Sequence, residues 1–281
     1  MRHTDFPVTN RPVPVIGLGS WNLERPDRPR AVRVVRAALD AGLTHVDTAE
    51  MYGSGRVEDV LGEALAGRRD EVFLVSKVLP GNASRRGTID ACERSLKRLR
   101  TDRLDCYLLH WEGSHPLADT FAAFEELVAA GKILSYGVSN FDVERLEEAV
   151  RVAGPGRVAC NQVLYHLESR GIEHALLPAC RRHGVALVGY SPFAQGAPET
   201  PETPGGAVLA EIAARHDVTI AAVTLAFLVR EPGTFTIPMT SRGSHARENA
   251  AGGDVVLTAE DVARIDRAFP RGARRESLDT L

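Results

Sequence analysis

Residues 104–139 read LDCYLLHWEGSHPLADTFAAFEELVAAGKILSYGVS, and this stretch decides the fold. Leu104 to His110 is a short apolar run with Tyr and Cys, a strand pattern. Leu117 to Ala130 carries apolar residues at helical spacing, and Gly131 stops it. Ile133 to Ser139 is a second strand pattern. Two strands joined by a crossover helix form a βαβ unit, which implies parallel pairing.

The same unit recurs outward in both directions. Upstream, Ile16–Trp21 is a short strand, and Pro29–Ala41 a helix with Pro at its start and Gly42 after it. Thr44–Ala49 and Val72–Val78 read as strands. Val57–Ala66 and Thr88–Leu99 read as helices, the latter capped by Thr88. Downstream, Val158–Val163, Val185–Tyr190 and Phe235–Pro238 are strands. The helices there are Asp142–Val152, Ile172–His183, Ala207–His216 and Ile220–Arg230, then Ser244–Ala251 and Ala259–Phe269 at the end. Asp5–Ile16, with three prolines around Asn10, is a hairpin. About eight β/α units in 281 residues fit a closed (β/α)8 TIM barrel of α/β class, with an N-terminal β-hairpin and extra C-terminal helices. A doubly wound open sheet is the alternative. No composition break divides the chain, so residues 1–281 are expected to form a single domain.

Composition narrows the function. The net charge of -3 gives no footprint for nucleic acid. No apolar stretch reaches the ~18 residues of a membrane span, and MRHTDFPVTN is not a signal peptide. Cys92, Cys106, Cys160 and Cys180 are scattered, which suits reduced thiols in the cytoplasm. His174 and His183 lack metal-ligand spacing, so no metal is expected. No assembly segment stands out, and a monomer is the expected state.

A barrel gathers functional residues at the C-terminal ends of its strands. Asp47 ends one strand run, Lys77 the next and His110 a third, while Tyr52 follows Asp47 across a loop containing Gly53. Each has an ordinary structural reading: a cap, a solvent-reaching amine, a core imidazole, a packed ring. Together they suit general-acid chemistry. A phenol has a pKa of ~10. A Lys ammonium ~4 Å away, at an effective dielectric of ~20, stabilises its phenolate by roughly 4 kcal/mol. That is enough to lower the phenol by as much as about three before burial is counted. Asp47 would hold Lys77, and His110 would orient a carbonyl. Such a set needs no nucleophile, and the reductant must be a cofactor.

The segment Gly42-Leu43-Thr44-His45-Val46-Asp47-Thr48-Ala49-Glu50-Met51-Tyr52-Gly53 resembles the first signature of the aldo-keto reductases, and the likeness spans nearly the whole chain. Asp47, Tyr52, Lys77 and His110 match that family's catalytic set in order and spacing. The resemblance implies NADPH-dependent reduction of aldehydes or ketones, with Tyr52 as proton donor and a small-molecule carbonyl as partner. Gly17-Leu18-Gly19-Ser20-Trp21-Asn22 fails the Rossmann fingerprint at Asn22. The family instead lays the cofactor across the barrel mouth. Gly19 and Ser20 would line it, Ser139, Asn140 and Gln162 would hold the carboxamide, and Tyr190 would stack on the nicotinamide. Ser191 and Phe193 would flank the pyrophosphate, and Glu248 and Asn249 the adenine. Ser139 and Asn140 also read as caps of the following helix.

The run Ile237-Pro238-Met239-Thr240-Ser241-Arg242-Gly243-Ser244-His245 departs from the family pattern. Met239 stands where a Lys is usual and His245 where an Arg is usual. Pro238, Thr240, Ser241, Arg242 and His245 are left to form the 2′-phosphate site, with Arg242 the compensating cation. NADPH is the expected cofactor and NADH the competitor. Trp21, Met51 and Trp111 match substrate-pocket walls. Asn161 to Leu167, with Ser169 to Glu173, is similar to small bacterial reductases of methylglyoxal and short aldehydes. A non-catalytic, NADPH-binding regulatory or channel-associated subunit is the alternative reading, and a hydrolase or isomerase on the same fold finds no paired carboxylates to support it.

Overall fold

Eight short strands run parallel in chain order in a computed structural model, which describes every residue except 195, 197, 274–276 and 281. A two-stranded antiparallel hairpin precedes them, β1 (His3–Phe6) and β2 (Arg11–Pro14), with His3 opposite Pro14. The parallel strands are β3 (Leu18–Gly19), β4 (His45–Asp47), β5 (Phe73–Val78), β6 (Cys106–Leu109), β7 (Tyr136–Ser139), β8 (Val158–Leu164), β9 (Ala186–Tyr190) and β10 (Thr234–Thr236). A doubly wound sheet would reverse its strand order partway. Here the order is sequential, and the two edges meet. Ile16 bridges Thr236 and Gly19 bridges Met239, both in parallel. The Gly17 amide donates to the Thr236 carbonyl at 2.8 Å, and the Gly19 amide to Pro238 at 3.0 Å. The sheet therefore closes into the expected barrel.

Two glycines let β3 lie close to both its neighbours, Gly17 on the β4 side and Gly19 at the closure. A Cβ on Gly17 would lie 2.4 Å from the His45 carbonyl oxygen, and one on Gly19 2.5 Å from that of Ile237. No side chain fits there. The hairpin covers one end of the barrel, where Phe6 packs its ring among those of His45, Phe73 and Phe235.

The crossover helices are α1 (Arg28–Asp40), α2 (Arg56–Ala64), α3 (Arg85–Leu99), α4 (Leu117–Ala129), α5 (Val143–Ala153) and α6 (Leu176–His183). Two helices, α7 (Pro204–His216) and α8 (Ile220–Leu228), join β9 to β10. After β10 come α9 (Gly243–Ala251) and α10 (Ala259–Ala268). Asp27, Asp142, Thr203, Thr219 and Thr258 each cap a helix through a side-chain oxygen.

Two helices and one cap show how packing revises the sequence reading. Thr88 is not a cap but lies buried inside α3, which starts a turn earlier because Ser84 accepts from the Gly87 amide at 3.1 Å. The helix expected over Ile172–His183 splits into a single turn, Gly171–Glu173, and then α6. The turn is pinned by Arg170, fully buried, whose guanidinium bonds both oxygens of Glu173. The third is the cap before α5, which Asp142 supplies by accepting from the Arg145 amide at 2.9 Å. Ser139 and Asn140 thus have no capping duty. No helix among the described residues is long and apolar enough to cross a membrane, and all four cysteines are buried thiols.

Candidate active site

Asp47 is the last residue of β4, and Lys77 lies one residue before the end of β5. Parallel pairing in register brings these ends side by side, with Asp47 opposite Val75. Both side chains are buried, so each must find its partner inside the protein. The Lys77 ammonium has three hydrogens and three oxygen acceptors. These are Asp47 Oδ1 at 2.6 Å, the Thr48 carbonyl at 2.8 Å and the Tyr52 hydroxyl at 3.2 Å. Gln162, from β8 across the barrel, donates to the other Asp47 oxygen at 2.7 Å. Ser20 donates to the Asp47 carbonyl at 2.7 Å.

Tyr52 reaches this point through an abrupt turn. Gly53 and Gly55 take left-handed conformations, φ 55° and 90°, which glycine adopts without strain. They fold the chain back so that the Tyr52 ring lies over Lys77, with the ammonium 5.0 Å from the ring centre. His110, just past β6, meets the edge of Tyr52 at 5.9 Å between centroids, and Trp111 leans on His110 at 4.9 Å.

The electrostatics correct one expectation. Burial raises the Tyr52 pKa above the ordinary phenol value, and this outweighs the lowering by Lys77. The phenol therefore holds its proton firmly at neutral pH. Burial likewise raises the Asp47 carboxyl and opposes the Lys77 charge, but at Lys77 the attraction of Asp47 and Tyr52 wins and the shift is upward. Every hydrogen of that ammonium has an oxygen acceptor, which keeps the charge on Lys77. Burial, helped by Lys77, pushes His110 down to about 2, so the imidazole is neutral and has one N–H to offer. Its Nδ1 is buried and finds no partner among the described residues.

These groups floor a cavity of about 370 Å³ at the barrel mouth. Of the residues expected from the sequence, Gly19, Ser20, Trp21, Asp47, Met51, Tyr52, His110, Trp111, Ser139, Asn140, Gln162, Tyr190, Ser191 and Phe193 line it. Lys77 lies beneath. Pro238, Thr240, Ser241, Arg242, His245, Glu248 and Asn249 are not in its wall; they follow β10 into α9. Gly196 also lines the cavity, as do Asn22, Pro192, Ile237 and Met239, which the sequence reading does not place there. Met239 was singled out only as a missing phosphate contact. The strand-end rule could have found Ile237 and Met239, which follow β10 directly.

Polar side chains on the cofactor side are already organised. Asn140 donates to the His110 carbonyl at 3.2 Å and to Ser139 Oγ at 3.3 Å, and accepts from the Tyr190 hydroxyl at 2.9 Å. Farther out, Arg242 occupies the N-cap of α9 without giving it a side-chain cap. The start of that helix is thus left without a side-chain acceptor, an arrangement that suits an anion. Thr240, nearly buried, bonds the Arg242 backbone in both directions, donating to its carbonyl at 2.9 Å. These features fit a phosphate-bearing dinucleotide. Among the described residues, no group of His, Cys, Asp or Glu side chains could hold a metal ion.

A barrel whose mouth carries a buried Asp–Lys–Tyr chain beside a neutral His suits a nicotinamide-dependent oxidoreductase, and the chain belongs to the Aldo/keto reductase family, whose profile matches residues 15–269. It is 44% identical to methylglyoxal reductase YeaE of Escherichia coli (strain K12), over 96% of this chain and 95% of that one. It is 34% identical to the glyoxal reductase of Bacillus subtilis (strain 168), covering 90% and 88%. Among solved structures, an aldo-keto reductase from Klebsiella pneumoniae in complex with NADPH superposes with a TM-score of 0.92 at 42% identity, covering 100% of this chain and 99% of that one.

Proposed function

We propose that this protein reduces aldehydes or ketones to alcohols with NADPH, small 2-oxoaldehydes such as methylglyoxal among them. The observation that carries the reading is the Lys77 ammonium, held by Asp47 and Thr48 and donating to the Tyr52 hydroxyl at 3.2 Å, under an open cavity. Bound NADPH supplies the hydride. The chain's own residues do the rest. His110 offers Nε2–H to the carbonyl oxygen and aligns it. Tyr52 donates its proton to that oxygen as negative charge develops there, and Lys77 stabilises the phenolate left behind. Trp21, Met51 and Trp111 wall the substrate off from water.

Ser139, Asn140 and Gln162 are assigned to the carboxamide, Tyr190 to the nicotinamide face, and Gly19, Ser20, Ser191 and Phe193 to the adjoining ribose and pyrophosphate. Pro238, Thr240, Ser241, Arg242 and His245 are assigned to the 2′-phosphate, and Glu248 and Asn249 to the adenine. The uncapped start of α9 supports the phosphate assignment. NADPH is preferred over NADH on this reading, and equal kcat/KM for the two would sink the preference. Residues 1–281 act as one barrel domain, a cytoplasmic monomer. The non-catalytic reading is not favoured, since the similar proteins are reductases.

Purified protein should oxidise NADPH when given methylglyoxal or a nitrobenzaldehyde. Tyr52→Phe should abolish turnover and keep NADPH binding. Binding without reduction of any carbonyl in a broad panel would overturn the catalytic reading; full turnover by Tyr52→Phe would overturn the mechanism.

A further inference from the structure

The β6–α4 loop carries Trp111, yet little of its own backbone holds it. His110 is fixed by its amide, which donates to the Val78 carbonyl at 3.0 Å. From Trp111 to Ser114 every residue is exposed. Among the described residues, no backbone amide of 111–115 donates to another backbone carbonyl. Two features set the loop's course. Gly113 lies so close to Pro80 that a Cβ there would meet the proline Cβ at 2.5 Å. Glu112 is ion-paired to Arg145, on the first turn of α5.

Arg145 is well placed for this. Its amide is fixed by the Asp142 cap at 2.9 Å, and its guanidinium also pairs with Glu148 one turn on. The same segment begins at Asn140, which donates to the His110 carbonyl. The loop is thus tied to the start of α5 at two successive points: at His110 through Asn140 and at Glu112 through Arg145. Trp111 sits between the ties, with its ring on His110.

We propose that Arg145 is a positioning residue for the substrate pocket: through Glu112 it holds the β6–α4 loop so that Trp111 stays against His110 as a wall. This rests on the reductase reading of the site. Arg145 does not line the cavity, so breaking the tie should weaken the hold on the carbonyl compound and spare the chemistry. The pair is partly exposed, with side chains 34% and 40% accessible, which limits its worth to that of a surface ion pair. Arg145→Ala should therefore raise KM for methylglyoxal by about fivefold, leave kcat within about twofold and leave NADPH affinity unchanged. Glu112→Ala should do the same, the double variant should be no worse than either, and the reversed pair Glu112→Arg/Arg145→Glu should restore KM. Salt at about 1 M should raise the wild-type KM towards that of Arg145→Ala, whose own KM stays fixed.

A second readout does not depend on turnover. The chain has two tryptophans, so in a Trp21→Phe background the emission comes from Trp111 alone. Acrylamide should quench it more strongly once Arg145 or Glu112 is removed. Unchanged quenching, additive single effects, or a KM that the reversed pair does not restore would overturn the tether. If the wild-type protein reduces no carbonyl, the reductase reading falls while the quenching result still decides the tether.

Discussion

Replacing Lys77 by Met separates what the buried charges do for chemistry from what they do for the fold. The ammonium lies 3.2 Å from the Tyr52 hydroxyl. At that distance and an effective dielectric of ~20, its attraction for a full phenolate is about 5 kcal/mol. If half the charge has formed on the phenol oxygen in the transition state, about 2.5 kcal/mol is lost, roughly a 70-fold fall in kcat. Stability suffers through a different group. Asp47 loses its 2.6 Å partner and, among the described residues, keeps the Gln162 donor alone, and stranding one member of a buried pair costs about 3–5 kcal/mol. The sign with pH follows from Asp47. Its folded pKa, already raised by burial, rises further without Lys77. The folded state then binds a proton that the unfolded state has released, so the loss grows as pH rises above the unfolded carboxyl value and is smallest in acid. Lys77→Met/Asp47→Asn removes the stranded charge, and stability at neutral pH should largely return while kcat does not. Urea unfolding and single-turnover NADPH oxidation measure the two quantities. Wild-type kcat in Lys77→Met, or recovery of kcat together with stability in the double variant, would refute the reasoning.

Three further outcomes follow from the same structure. The pH profile of kcat/KM should be flat between about pH 5 and pH 9, because His110 is held neutral down to about 2 while Tyr52 and Lys77 are shifted upward; a limb near the ordinary imidazole value that vanishes in His110→Gln would contradict this. Glu173 works against its burial, but Arg170, Arg230 and Tyr165 hold its pKa at about 2. That stabilisation is complete above the ordinary carboxyl value and is lost as pH falls towards 2, so Glu173→Gln should cost about 3 kcal/mol at pH 7 and flatten the acid limb of the unfolding curve. Met239→Lys places a cation at the end of β10 and should shift the NADPH-to-NADH ratio of dissociation constants by roughly five- to tenfold towards NADPH, as measured by fluorescence titration.

What the sequence made legible was local. Apolar runs and their spacing marked the strands, and a barrel turns strand ends into a site, so Asp47, Lys77 and His110 could be picked out before any geometry was known. What it hid depends on contacts between distant segments. Gly17 and Gly19 look like half of a phosphate loop, but Gly17 allows the close approach of His45 in β4, and Gly19 that of the Ile237–Met239 segment at closure. Ile237 and Met239 enter the cavity wall for the same reason. Thr88 lost its cap role to Ser84 because both are good caps, and only packing chooses between them. For Tyr52 the pairwise argument counts Lys77 and sets burial aside, and the burial imposed by the rest of the barrel mouth decides the direction.

That reversal alters how the site is understood. A phenol lowered by Lys77 would be poised to ionise in the resting protein. A phenol raised by burial stays protonated until a stronger base appears beside it, and an alkoxide forming on the substrate is such a base. In the proposed mechanism Lys77 contributes at that moment, its charge held beside the Tyr52 oxygen by its hydrogen bonds to Asp47 and Thr48. Gln162 links this to the cofactor side: one of its ends holds Asp47, while the residue itself lines the cavity where the carboxamide is assigned. On the proposed roles, the carboxylate that anchors the proton donor and the wall that receives the cofactor share the side chain of Gln162.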